Sequence, residues 1–107
     1  MTTSISFDPR AYLLHCRACL GICRHCLEAS NKNLACHAGL PDTILALEIA
    51  ILMIEEGSEY AYDRLCYCAE VCAASVKKWG DCLDPLSQLS ARACQEFLQY
   101  WKGRAEH

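Results

Sequence analysis

Cys16, Cys19, Cys23 and Cys26 recur at intervals of three and four residues, the spacing that stacks side chains on one face of an α-helix. At about 100° per residue, with Cys16 at zero, the other three fall at about 300°, 340° and 280°, so the four share a sector of about 80°. Tyr12, Leu20, Leu27 and Ser30 lie in the same sector, which marks it as the apolar stripe that must face a core. A helix with such a stripe has to be covered by other helices.

The rest of the chain provides them. Asp8-Pro9 pairs an N-cap residue with a proline suited to the first helical position, and the spacing predicts a first helix over residues 9–29. The polar stretch at residues 30–33, then Gly39 and Pro41, interrupts the pattern, with one short helical turn at residues 34–38. A second helix is predicted over residues 42–56. Gly57 reads as the residue ending it and Ser58 as the N-cap of a third, running to Trp79. Gly80 closes the third, Asp84-Pro85 repeats the start signal, and a fourth helix is predicted to reach Lys102, with Gly103 behind it. Short links make sequential helices antiparallel neighbours. With no strand alternation anywhere, the fold class read from the sequence is all-α, an antiparallel up-down four-helix bundle in one domain spanning the 107 residues.

Two further helices add thiols to the interior. Cys68 and Cys72 share a face of the third helix with Ala61, Leu65, Val76 and Trp79. On the fourth, Cys94 lies among Leu86, Leu89, Ser90, Ala93, Phe97, Leu98 and Trp101. Cys16, Cys19, Cys23, Cys26, Cys68, Cys72 and Cys94 are thus the expected interior thiols and the candidate metal ligands. Cys66 falls about 120° to 160° from its helix-three partners and belongs on the flank. Cys36 and Cys82, in the inter-helix segments, are placed where they could close or guard an end of the bundle.

Ten cysteines in 107 residues would suggest a disulfide scaffold in a secreted chain. The first eight residues, MTTSISFD, contain neither the basic nor the apolar region of a secretory signal. The expected compartment is therefore the reducing cytoplasm, where dense cysteine points to metal or thiol chemistry. The most apolar run, residues 43–54, is too short for a bilayer and contains Glu48. A net charge of −3 with scattered Lys and Arg gives nucleic acid no basic stripe to bind. Neither membrane nor nucleic acid is an expected partner.

Thiolates select soft metals, Cu(I), zinc or iron–sulfur clusters, over calcium and magnesium. Two Cys-x-x-Cys pairs in the middle of one helix, all on one face, close a zinc tetrahedron poorly. The spacing also departs from the ferredoxin run, whose last cysteine precedes a proline. Cu(I) accepts two or three thiolates without a rigid tetrahedron, and a row of thiols suits it best. For any single cysteine the competing reading is a protonated thiol acting as a small hydrophobe.

His15-Cys16-x-x-Cys19-x-x-x-Cys23-x-x-Cys26 resembles the first helix of the bacterial copper-storage proteins, a family of four-helix bundles. Gly57-Ser58 followed by Leu65-Cys66-Tyr67-Cys68-Ala69-Glu70-Val71-Cys72 is similar to that family's third helix. The resemblance implies a Cu(I) store or buffer that holds copper ions between thiolate pairs, receives them from a copper donor and associates into homo-oligomers. The chain departs from the family in helix two, which has no cysteine, and in Ser30 and Ser75, which stand where the stripes would continue with cysteine. The implied capacity is correspondingly smaller.

Helix two is apolar around most of its circumference, with Glu48 and Glu55 in a narrow strip. Such a surface is expected to form a subunit interface centred near Ile49 and Met53. His15, at the edge of the thiol stripe, and His37, beside Cys36, are candidate ligands at a bundle mouth, together with Cys36, Cys66 and Cys82. His25 is expected to point outward. No nucleotide-binding glycine loop, G-x-S-x-G elbow or H-E-x-x-H motif occurs, and the interior cysteines sit mid-helix, where the helix dipole activates them little. The expectation is binding without catalysis. Two alternatives stand beside it: a helical oligomerisation module with core cysteines, and a thiol redox sensor.

Overall fold

In the computed structural model, which describes residues 8–105, the chain folds into four helices: α1 (Leu13–Ala29), α2 (Leu40–Glu55), α3 (Ala61–Trp79) and α4 (Pro85–Ala105). The N-terminal segment read above as lacking a secretory signal lies outside the described residues. α1 packs on α2 and α4, and α3 packs on the same two, which closes a ring with α1 and α3 on one diagonal. Arg17 pairs with Glu55 and Arg24 with Glu48. These pairings run in opposite senses along the two helices and fix α1 and α2 as antiparallel. No strand occurs among the described residues, and no helix of the structure is long and apolar enough to cross a membrane.

The helix ends show where local chemistry departs from the sequence reading. Asp8 does cap, accepting a hydrogen bond from the Arg10 N–H at 3.1 Å, but Pro9–Tyr12 winds as a 3-10 turn before α1 begins. That tighter winding is common at helix starts. α2 begins at Leu40, so that Gly39 is its N-cap and Pro41 lies in its first turn, where proline's missing N–H costs nothing. The segment before it is a series of turns in which Asn31 accepts from the Asn33 N–H at 2.9 Å.

Gly57 ends α2 with φ of 68°. The Gly57 N–H donates to the Ile54 carbonyl at 3.1 Å and the Ser58 N–H to the Met53 carbonyl at 2.9 Å; both bonds depend on the left-handed residue between them. Ser58 does not cap α3. Its hydroxyl accepts from the Tyr60 N–H at 3.0 Å, and the helix starts at Ala61, with Tyr60 as N-cap. Asp84 caps α4 by accepting from the Ser87 N–H at 2.8 Å. α4 passes through Gly103 to Ala105, because an exposed glycine lowers helix stability by only about 1 kcal/mol relative to alanine and does not stop a packed helix.

The core is tiered along the bundle axis. Tyr12 meets Tyr100 edge-on at 5.3 Å and Trp101 at 5.4 Å, which seals one end with aromatic rings. The middle is lined by cysteine. Toward the other end lie Leu40, Thr43, Ser75, Ser87 and Ser90, all buried. Trp79 lies against Gly39, where a Cβ would stand 2.8 Å from the indole Cζ2.

Candidate metal centre

Each interior thiol is delivered by a helical stripe, so its direction is fixed by packing on both sides of it. The α1 stripe buries Cys16, Cys19, Cys23 and Cys26, α3 buries Cys68 and Cys72, and α4 buries Cys94. The sulfur atoms of Cys19, Cys72 and Cys94, from three different helices, all lie within 4.8 Å of one another. A soft metal–sulfur bond of about 2.3 Å would set three sulfurs in a plane about 4 Å apart, so a small inward movement of the thiols suffices to enclose one ion. This buried cluster could hold a metal ion.

The neighbouring thiols continue it in both directions. Cys23 lies beside Cys19 and Cys94, and Cys72 beside Cys68 as well as Cys19 and Cys94. Cys16 lies beside Cys68 and Cys19, and Cys26 beside Ser90, Cys36 and Cys94. All seven expected interior thiols are therefore in one connected column.

Their electrostatics are uneven. The neighbouring sulfurs, Cys19 first, together with burial, push the Cys23 and Cys72 thiols well above the ordinary thiol range. Burial, reinforced by Cys68 and Cys19, does the same to Cys16, and burial also raises Cys26. Cys94 runs the other way: hydrogen bonds from Cys19, Cys23 and Cys72 hold it far down.

Cys36 is an eighth interior thiol that the sequence reading left at an end of the bundle. It is fully buried, its N–H donates to the Ser87 hydroxyl at 3.1 Å, and its sulfur lies near Cys26. The turn containing it folds back under the bundle because Leu40 four residues later is also fully buried. The spacing of Cys36 and Leu40, two apolar residues four apart, was the signal that the sequence offered.

Cys66 sits half-buried on the flank beside Tyr62, as its angle requires. Cys82 is also half-buried and points its sulfur at the Lys78 carbonyl, 3.6 Å away. Neither joins the column. His37 is tied to the Ser30 hydroxyl at 2.7 Å, and His25 is exposed. His15 stacks on the Tyr100 ring with centroids 3.6 Å apart.

Serine and threonine replace thiols in the tier beyond. Thr43 and Ser75 share a hydrogen bond of 3.0 Å, while Ser75 and Ser90 donate to the Val71 and Leu86 carbonyls at 3.0 and 2.9 Å. With their hydroxyls satisfied by the backbone four residues earlier, these residues complete the core but offer a soft metal little. Compared with protein families, with characterised proteins and with solved structures, this chain finds no match.

Proposed function

We propose that this protein binds Cu(I) through cysteine thiolates inside its helical bundle and stores or buffers it in the cytoplasm, without catalytic turnover. The observation carrying this reading is the convergence of the Cys19, Cys72 and Cys94 sulfurs, buried and within 4.8 Å of one another. Three soft donors suit Cu(I), which is content with two or three thiolates, better than zinc, which takes four ligands in structural sites. Burial supports it too: a Cu(I) ion that displaces one thiol proton leaves the dry core without added net charge, the form that such a core accepts. The resemblance of α1 and α3 to copper-storage proteins points the same way.

The expected capacity is a few ions, because α2 contributes no thiol and the Thr43, Ser75, Ser87 and Ser90 tier is hydroxylic. Anaerobic titration of the reduced protein with Cu(I) against a chromophoric chelator tests the proposal. More than one equivalent retained per chain supports it, and complete surrender of copper to the chelator overturns it. In that case the raised thiols of Cys16, Cys23 and Cys72 favour the other reading, a helical module with protonated cysteines as core residues.

A further inference from the structure

A buried thiol cluster needs a way in. Among the cysteines of the column, Cys16, Cys23, Cys26, Cys36, Cys68, Cys72 and Cys94 are 0% exposed, and Cys19 alone reaches solvent, at 3%. The opening is a cleft of about 40 Å³ between α1 and α4, lined by His15, Ala18, Cys19 and Ile22 from one helix and Ala93, Glu96 and Phe97 from the other. A volume of that size is enough to seat a single small ion or water beside Cys19. Two larger grooves, one over Arg17, Arg24 and Glu48 and one beside Gln88 and Arg92, include no cysteine in their linings.

The cleft is also furnished. His15 is four residues before Cys19, so the two side chains stack on one side of α1. The imidazole is held parallel to the Tyr100 ring, 19° from coplanar, and Tyr100 itself donates to the Ala11 carbonyl at 3.1 Å. Glu96 is exposed at the rim, where a carboxylate raises the local cation concentration.

We propose that this cleft is the route by which a soft monovalent metal ion reaches the thiol cluster, with His15 as its first ligand and Cys19 as the thiol that receives it. The proposal rests on the copper reading above. In the transfer, a His15 ring nitrogen displaces a donor ligand from Cu(I). The Cys19 sulfur then replaces the imidazole, and the Cys19 proton leaves to water through the same opening. Cys72 and Cys94 lie within reach of Cys19 and complete the coordination.

The test has an arm without metal and an arm with it. In metal-free, reduced protein, N-ethylmaleimide should modify Cys19 at least about tenfold faster than Cys23, Cys72 or Cys94, read by peptide mass spectrometry, because thiol reactivity follows access. Ala18→Phe, at an exposed position on the rim, should slow that modification and also the rate of Cu(I) uptake from a chelator complex. His15→Phe keeps a ring on Tyr100 but removes the ligand. It should slow Cu(I) uptake while leaving the maleimide rate of Cys19 unchanged. Equal reactivity of Cys19 and Cys72, or uptake at the wild-type rate in either variant, overturns the route. Should wild-type protein take up no Cu(I), the copper reading falls by itself, and the maleimide arm still decides whether the cleft leads to the cluster.

Discussion

Cys19 on α1 and Cys72 on α3 bring their sulfur atoms within 4.8 Å of one another across the diagonal of the bundle. Most four-helix cores fill that space with leucine or phenylalanine; here short thiols meet in the middle, joined by Cys94 from α4. The arrangement is compatible with folding in the absence of metal only because neutral thiols are weakly polar.

Replacing one of these thiols should therefore separate its structural from its ligand role. Cys72→Ser places a hydroxyl, which loses more on desolvation, among sulfurs, and should cost the metal-free protein about 1–3 kcal/mol. Cys72→Ala should cost less in stability, while both variants lose Cu(I) affinity equally. Urea unfolding and copper competition measured on the same preparations check this, and a loss of affinity that tracks stability rather than the missing sulfur would contradict it.

The proton affinities predict a pH dependence with a definite sign. Cys16, Cys23 and Cys72 are raised above the ordinary thiol value of 9.0, so above that pH the native state keeps protons that the unfolded chain has released. Their contribution to stability is intact below about pH 9 and falls as the pH rises further, by up to about 1.4 kcal/mol per thiol per pH unit. Cys94, held low, contributes oppositely: its share is present above pH 9 and is lost as the pH falls. Unfolding midpoints of the metal-free protein should decline between about pH 9 and 10.5, and the decline should flatten once copper occupies the thiolates.

Gly39 and Trp79 make a third prediction. Gly39→Ala would bring its Cβ to 2.8 Å from the Trp79 ring, and Trp79 is 2% exposed and has nowhere to move. A cost of about 1–3 kcal/mol is expected from such overpacking. Unchanged denaturant midpoints would show that the two ends of α2 and α3 are less tightly joined than their packing implies.

The sequence was most legible where one period dominated. The stripes of α1, α3 and α4 placed seven thiols inside, and the capping chemistry of Asp8, Gly57 and Asp84 placed the breaks between helices. Legibility failed where tertiary contact overrides local preference. Ser58 has the chemistry of an N-cap, yet its hydroxyl is used one turn early and Tyr60 takes the position. Cys36 sits in a segment without periodic pattern, and only its packing under Ser87 and beside Cys26 brings it inside. Periodicity gives directions around each helix but not heights along the bundle, so which three of the seven thiols converge was beyond it.

The apolar surface of α2 points to self-association. Leu45 and Leu52, seven residues apart, are 54% and 49% exposed, whereas Ile49 and Met53, the expected centre of an interface, are half-buried. The Arg17–Glu55 and Arg24–Glu48 pairs flank them. We expect self-association through this strip, abolished by Leu45→Lys with Leu52→Lys. Sedimentation of the wild type at its 12.0 kDa chain mass would refute it.

Copper held by the buried sulfurs is tested most directly by anaerobic Cu(I) competition on wild type beside a Cys19→Ala, Cys72→Ala, Cys94→Ala variant. The prediction is that wild-type protein retains Cu(I) against the chelator, that the triple variant loses the tightest equivalent, and that a Cys66→Ala, Cys82→Ala control retains it. Equal retention by the wild type and the triple variant, or none by either, would contradict the account.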